Sequence, residues 1–141
     1  MYLLDTNLVS ELRKIRSGNA DPNVAQWADS VDAGTLYLSS IAIMELEIGV
    51  LRIERRDVTQ GAVLRAWLEN QVLVAFDGRV LPIDTTVARR CAALHVPNPR
   101  SERDALVAAT ALVHHLTVAT RNVNDFTSTG VPVINPWKLG H

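Results

Sequence analysis

The chain begins with the stretch Met1-Tyr2-Leu3-Leu4-Asp5-Thr6-Asn7, which indicates both the kind of fold and the position of a site. The residues from Tyr2 to Asp5 predict a short buried strand, and those from Thr6 to Lys14 predict a helix. The strand ends on a carboxylate, and a hydroxyl and an amide follow it. Because burying a lone ionised carboxylate is costly, such a group is normally paired, hydrogen-bonded or bound to a metal ion. The start of the chain therefore predicts a strand and a helix with a polar site between them.

The rest of the chain continues the same alternation of strands and helices. Further strands are predicted at Thr35 to Ser39, Val80 to Ile83, Thr117 to Thr120 and Val131 to Ile134. Helices are predicted from Pro22 towards Gly34, and at Ile41 to Arg55, Val58 to Ala75, Thr85 to His95 and Ser101 to Leu116. Short, leucine-rich and β-branched strands between helices indicate a parallel sheet covered on both faces. We therefore predict one α/β domain over residues 1–141, a three-layer α/β/α sandwich with a mainly parallel sheet of about five strands.

Composition narrows the class of protein. The chain has 141 residues, of which 48% are hydrophobic and 21% charged, as in an ordinary soluble globular domain. Its single cysteine, Cys91, excludes an internal disulfide and a multi-cysteine zinc cluster. The short apolar start and the lack of an apolar segment of transmembrane length lead us to expect a cytoplasmic protein without membrane contact. The formal net charge of −1 argues neither for nor against a nucleic-acid partner.

Three other acids share with Asp5 a position beside an apolar stretch. They are Glu45, Asp104 and Asp125. Four carboxylates from distant parts of one chain repel one another unless a positive charge lies between them, and a divalent cation is the simplest candidate. Carboxylate oxygens suit Mg²⁺ and Mn²⁺, the hard cations used in phosphodiester cleavage. These acids therefore make a candidate cation site.

Three of the four acids also have a purely structural explanation. Asp5 precedes a helix and is a good N-cap. Asp104 completes a capping pattern that starts at Ser101, in which an acid three residues into the helix reaches back to the cap. Asp125 lies in a segment rich in turn-forming residues. For these three acids, capping and metal binding both stay open on the residues alone.

Glu45 has no capping role, because it lies inside a helix that is apolar almost all round. It projects beside a predicted core stripe. That stripe consists of Ile41, Met44 and Ile48. The alternative to a metal-binding role is an ion pair with Arg52 or Arg121.

Other catalytic chemistries have little support in the sequence. The histidines lack the spacing of a zinc hydrolase, and the scattered glycines form no phosphate-binding loop. Cys91 lies in a predicted helix without an evident base beside it, which argues against cysteine catalysis.

Taken together, the four acid-bearing segments resemble the PIN-domain family. The segments are Met1 to Asn7, the Ser40 to Leu51 helix with Glu45, Arg103 to Ala111, and Thr120 to Phe126. They occur in the order and spacing of the family from the first residue to nearly the last. The ending from Gly130 to Trp137 resembles the VapC/FitB-type branch.

The resemblance implies a small, usually dimeric α/β/α nuclease that cleaves RNA with Mg²⁺ or Mn²⁺. It also implies a toxin that pairs with a cognate, VapB-like antitoxin. By position, Asp5, Glu45 and Asp104 match the three core acids of the family, and Asp125 matches the more variable fourth. Supporting roles then fall to the residues Thr6, Asn7 and Asn122. A further set of apolar helix residues belongs either to the core or to a groove for a dimer partner or the antitoxin. These residues are Leu51, Ile53, Trp67 and Leu68.

Two other functions fit the same fold. A non-catalytic PIN-like protein-binding module would be free to lose Glu45, which caps nothing. A DNA-directed, flap-type nuclease needs an extra helical arch, for which the chain is too short. We therefore expect a Mg²⁺- or Mn²⁺-dependent endoribonuclease whose acids bind metal that activates a water molecule.

Overall fold

A five-stranded parallel sheet forms the centre of the computed structural model, which describes residues 1–138. The strands are β1 Tyr2–Leu4, β2 Leu36–Ser39, β3 Val80–Leu81, β4 Thr117–Ala119 and β5 Val133–Ile134. Their order across the sheet is β3-β2-β1-β4-β5, and every neighbouring pair is parallel. The predicted parallel sheet is confirmed. The domain limits of 1–141 stay a prediction, and residues 139–141 lie outside the described part.

Within the described residues, seven α-helices connect the strands. They are α1 Thr6–Leu12, α2 Pro22–Ser30, α3 Ser40–Arg56, α4 Val58–Trp67, α5 Leu73–Ala75, α6 Thr85–Leu94 and α7 Glu102–His114. A π-helical turn, Leu68–Val72, joins α4 to α5, so the single helix predicted there is locally widened. Short 3₁₀ turns lie at Ala33–Thr35, Val123–Asp125, Thr127–Thr129 and Pro136–Lys138. Among residues 1–138, no helix is both long and apolar enough to cross a membrane.

The two leucines of β1 face opposite sides of the sheet, as the two-residue period of a strand requires. Leu4 packs into a core on the side of α1 to α5, and Leu3 packs into a second core beneath α7. The first core includes Leu8, Trp27, Leu38, Leu46 and Leu68. The second includes Val107, Ala108, Val118 and Phe126. The sheet is therefore covered on both faces, and the predicted three-layer α/β/α sandwich is confirmed.

The buried face of α3 matches the predicted one only in part. The fully buried residues are Ala42, Leu46 and Val50, and of the predicted stripe Ile41 is half-buried and packs against the second core. Met44, predicted in the core, is 39% exposed. The helix begins directly after β2, where Ser39 Oγ accepts the backbone N–H of Ile41 at 3.0 Å. Because apolar residues lie on more than one side of the helix, the sequence pattern did not show which side would be buried.

Candidate active site

The carboxyl edge of the sheet has a crevice where the chain reverses its direction of winding. From β1 the chain adds β2 and β3 on one side, and it then crosses to add β4 and β5 on the other side. The loops after β1 and β4 therefore lead away from each other, which makes the usual ligand-binding position of an open parallel sheet. Asp5 lies at this point, and its backbone N–H donates to the carbonyl of Ala119 at 2.9 Å.

Asp5 is both a helix cap and part of this crevice. Its Oδ1 accepts the backbone N–H of Thr6 at 2.9 Å, and its Oδ2 accepts the hydroxyl of Thr120 at 2.7 Å. Burial raises the pKa of the Asp5 carboxyl, whereas the hydrogen bonds from Thr120 and Thr6 lower it. The negative charges of Glu45 and Asp125 raise the pKa further. The net result is a raised pKa, which the cap alone does not explain, because a helix N-terminus favours the ionised form.

Glu45 reaches the same crevice from the second turn of α3. The hydroxyl of Thr6 donates to Glu45 Oε1 at 2.9 Å. The other oxygen, Oε2, lies 3.6 Å from Nη1 of Arg103. In the described structure the ion pair is thus made with Arg103 and not with Arg52 or Arg121. Because the Arg103 side chain is 53% exposed, this pair contributes little to stability.

Asp104 approaches from the first turn of α7. Burial raises the pKa of its carboxyl, and the charges of Asp125 and Asp5 raise it further. The side chain of Ser101, the N-cap residue, forms no capping hydrogen bond in the part of α7 that the structure describes. The predicted cap is therefore not formed by the Ser101 side chain, although a hydrogen bond between the Ser101 and Asp104 side chains partly offsets the rise in the pKa of Asp104.

Asp125 completes the group from the 3₁₀ turn that follows β4, where its side chain is exposed. Its charge raises the pKa of both Asp5 and Asp104. The four predicted acids thus come together at one edge of the sheet. Within residues 1–138, however, no three acidic, histidine or cysteine side chains form a ready metal-binding group. Closing the acids around one ion therefore requires side-chain movement.

The three predicted supporting residues differ in how they contact this group. Thr6 links two acids, through its backbone N–H to Asp5 and its hydroxyl to Glu45. Asn7 Nδ2 lies 3.5 Å from Asp5 Oδ2, at the weak limit for a hydrogen bond. Asn122 contributes its backbone N–H, which donates to Thr120 Oγ1 at 3.0 Å.

Two residues at the site were missed by sequence reasoning. Thr120 is fully buried and holds Asp5, and Arg103 lies beside Glu45. A signal for Thr120 was available, because it directly follows β4 just as Asp5 directly follows β1. No comparable signal marked Arg103, whose role depends on the approach of α7 to α3.

Two clefts adjoin the acids on opposite sides of β1. The first, of about 380 Å³, includes Thr6 and Glu45. The second, of about 530 Å³, includes Asp125. We call them the Glu45 cleft and the Asp125 cleft.

Comparison with known proteins shows which family this chain belongs to. The sequence profile of the PIN domain matches residues 2–131. The VapC ribonuclease Y4jK of Sinorhizobium fredii is 38% identical over 146 residues, which cover 98% of this chain and 99% of the relative. Toxin FitB of Neisseria gonorrhoeae is 39% identical over 145 residues, with 97% and 99% covered.

Solved structures agree with the sequence comparison. The crystal structure of FitAcB from Neisseria gonorrhoeae aligns with a TM-score of 0.89 at 37% identity, over 99% of this chain and 100% of that chain. A toxin–antitoxin complex from Klebsiella pneumoniae aligns with a TM-score of 0.66 at 26% identity, over 99% and 100%. The resemblance to the VapC/FitB-type branch is thereby confirmed, and this chain belongs to the PIN-domain family.

Proposed function

We propose that this protein is a divalent-metal-dependent endoribonuclease and the toxin of a toxin–antitoxin pair. The observation that carries the proposal is the meeting of four carboxylates, from Asp5, Glu45, Asp104 and Asp125, at the switch point of the sheet. Relatives named as a ribonuclease and a toxin support the substrate and the biological role. Action on cellular RNA places the proposed activity in the cytoplasm.

The residues at the crevice fit a hard divalent cation. All four side chains offer carboxylate oxygens, which Mg²⁺ and Mn²⁺ prefer as ligands. Burial and mutual repulsion raise the pKa of Asp5 and Asp104, and a bound cation relieves that repulsion. Asp5 and Asp104 are the proposed central ligands. Glu45 and Asp125 close the set from either side.

The neighbouring side chains have distinct tasks in this mechanism. When bound, the metal ion supplies a Lewis acid that activates water and stabilises charge on the phosphate. Thr120 and Thr6 orient Asp5 and favour its ionised form, because both donate hydrogen bonds to it. Arg103 keeps a positive charge beside Glu45. In-line attack of water on phosphorus breaks the P–O3′ bond and leaves a 5′-phosphate and a 3′-hydroxyl.

The Glu45 cleft is the proposed docking site of the antitoxin. Its floor is apolar and includes Leu46, Val50, Ile53, Leu64 and Trp67. Its rim is basic and includes Arg13, Lys14, Arg52 and Arg56. A VapB-like segment that carries apolar and acidic side chains complements both, and it would cover Glu45. Of the four residues predicted for such a groove, Ile53 and Trp67 line the cleft, Leu68 is a core residue, and Leu51 is exposed.

A homodimer is supported by apolar side chains that are exposed on helices α4 and α5. Val58 is 82% exposed and Val74 is 66% exposed. Burying such side chains against a second copy removes apolar surface from water. Size-exclusion chromatography with light scattering tests the homodimer. The mass is measured for the protein alone and for the protein co-expressed with the neighbouring reading frame.

The function is tested by comparing substrates for the purified protein. We expect cleavage of single-stranded RNA in Mg²⁺ or Mn²⁺, with no cleavage in excess EDTA and recovery after the metal is restored. A DNA flap of matched sequence separates this activity from that of a flap-type nuclease. RNA cleavage that persists in EDTA contradicts metal dependence, and preferential cutting of the DNA flap contradicts the ribonuclease assignment.

A further inference from the structure

The Asp125 cleft differs in chemistry from the Glu45 cleft. It lies between the loop after β4 and the residues after β5, and its walls are mostly polar. They include Arg121, Asn122, Asn124, Asp125, Asn135 and Lys138. Three carboxamides and two cations thus surround the exposed acid of the candidate active site.

These side chains match the groups that a nucleotide presents. Each carboxamide offers both donors and acceptors, which suits the hydrogen-bonding edges of an unpaired base. Arginine and lysine suit the phosphates on either side. The volume of about 530 Å³ lies in the usual range for a small-molecule site, roughly 300–1,000 Å³.

The cleft is held in place by contacts to the rest of the protein. The Arg121 guanidinium lies 5.5 Å from the centre of the Trp137 ring, and the backbone N–H of Trp137 donates to Asn135 Oδ1 at 2.9 Å. Trp137 in turn packs against the first core. Because Asn135 Oδ1 is already engaged, Asn124 is better placed than Asn135 to contact a base.

The cleft is also tied to the acids themselves. Asp125 belongs to both, and the Asn122 backbone N–H donates to Thr120, which holds Asp5. The Glu45 cleft lies on the β2 side of β1, whereas the Asp125 cleft lies on the β4 side. An RNA strand that crosses the acids from the β2 side to the β4 side would pass over the Asp125 cleft next to the phosphate that is cut.

We propose that the Asp125 cleft binds one nucleotide next to the scissile phosphate and selects its base. Asn124 contacts the base edge, and Arg121 and Lys138 contact phosphate. This inference rests on the proposed ribonuclease function and adds to it the part of the protein that determines the cleavage sequence.

The test uses a single-stranded RNA library with randomised sequence, cut by the full-length protein in Mg²⁺ and sequenced at the new 5′ ends. For the wild type we expect a base preference at one nucleotide beside the cut. Asn124→Ala should weaken that preference by roughly tenfold, the discrimination that one good amide–base contact supplies. The control Asn70→Ala, an exposed amide in the π-helical turn, should keep the wild-type preference.

Two further variants keep the proposal testable. Asn124→Asp preserves size but replaces the amide donor with a carboxylate, so it should change which base is favoured. Lys138→Gln should lower the salt dependence of KM by about 0.7 in log–log slope, the value for one phosphate contact on a single strand. Thermal melts of each variant confirm folding.

The possible failures point to different parts of the proposal. No cleavage by the wild type contradicts the proposed function. Wild-type cleavage together with an unchanged base preference in both Asn124 variants contradicts the subsite alone. If those variants weaken antitoxin binding while the base preference stays unchanged, the cleft is a protein-docking site and the nucleotide proposal is wrong.

Discussion

The hydroxyl of Thr120 donates a 2.7 Å hydrogen bond to Oδ2 of Asp5, and the two residues are the first to follow β4 and β1. This bond joins the two central strands at the point where their loops diverge. It therefore fixes the orientation of the acid around which the other three are arranged.

Replacing Thr120 by Val should lower RNA cleavage by about 10–100-fold, the usual effect of removing a group that orients a metal ligand. The substitution keeps the size of the side chain but removes the donor to Asp5 and the acceptor for Asn122. A Mg²⁺ titration of the cleavage rate measures the effect. Thr110→Val is the matched control, because Thr110 is equally buried but donates to Leu106 within α7. Equal loss in both variants would show a general packing defect.

Thr6 should behave as a bridge between Asp5 and Glu45. We expect Thr6→Ala to reduce cleavage by about tenfold or more, because the donor to Glu45 is lost. Thr6→Ser keeps that hydroxyl and should stay close to the wild type. Steady-state rates at saturating Mg²⁺ and at limiting Mg²⁺ compare the two. Similar rates for the serine and alanine variants would rule out a role for the hydrogen bond.

Asp104→Asn should raise the melting temperature of the metal-free protein near neutral pH. Burial and neighbouring acids raise the pKa of Asp104 above 3.8, so its ionised form destabilises the folded state. The stability that the protonated carboxyl contributes is present below the unfolded pKa and is lost as the pH rises through the folded pKa. The gain from Asn should therefore vanish below about pH 4.

Melting curves in EDTA between pH 3.5 and 8, at about half-unit steps, test this pH dependence. Glu102→Gln is the control, because Glu102 lies in the same first turn but is exposed. It loses only a favourable interaction with the helix dipole, so its melting temperature should not rise. A lower melting temperature for Asp104→Asn at neutral pH would contradict the assigned repulsion.

Two helix glycines should respond oppositely to alanine. A Cβ on Gly61 would lie 2.6 Å from the Cα of Glu54, where α4 crosses α3, so Gly61→Ala should destabilise by about 1–3 kcal/mol. Gly49 is exposed in α3, and a Cβ added there would meet nothing within 4 Å. Gly49→Ala should therefore stabilise by about 0.5–1 kcal/mol. Urea unfolding measures both, and a destabilised Gly49→Ala together with an unchanged Gly61→Ala would contradict the packing of the two helices.

The fold was largely predictable from the sequence because its strands are short apolar runs between capped helices. The parallel sheet and the four acids each leave a local signal. The buried face of α3 has no such signal, because apolar residues on several sides of the helix allow more than one buried face. The π-helical turn at Leu68–Val72 also leaves none, since the apolar spacing suits an ordinary helix equally well.

The features that the sequence did not predict depend on contacts between distant segments of the chain. Thr120 acquires its role from the pairing of β1 with β4, and Arg103 acquires its position from the approach of α7 to α3. The position of Thr120 directly after β4 is a signal in the sequence, whereas the residues beside Arg103 give none. The Asp125 cleft likewise depends on the return of the chain after β5 to the loop after β4.

The most direct test of the central claim is the cleavage of one 5′-labelled single-stranded RNA by wild type and by Asp5→Asn, in parallel, with Mg²⁺ present. Asn keeps the size of the side chain and a cap acceptor for α1, but it removes the carboxylate charge that the proposed metal requires. We predict discrete labelled products that end in a 3′-hydroxyl with the wild type, none with the folded variant, and none with either protein in EDTA. Cleavage at the wild-type rate by a folded Asp5→Asn protein would contradict the claim.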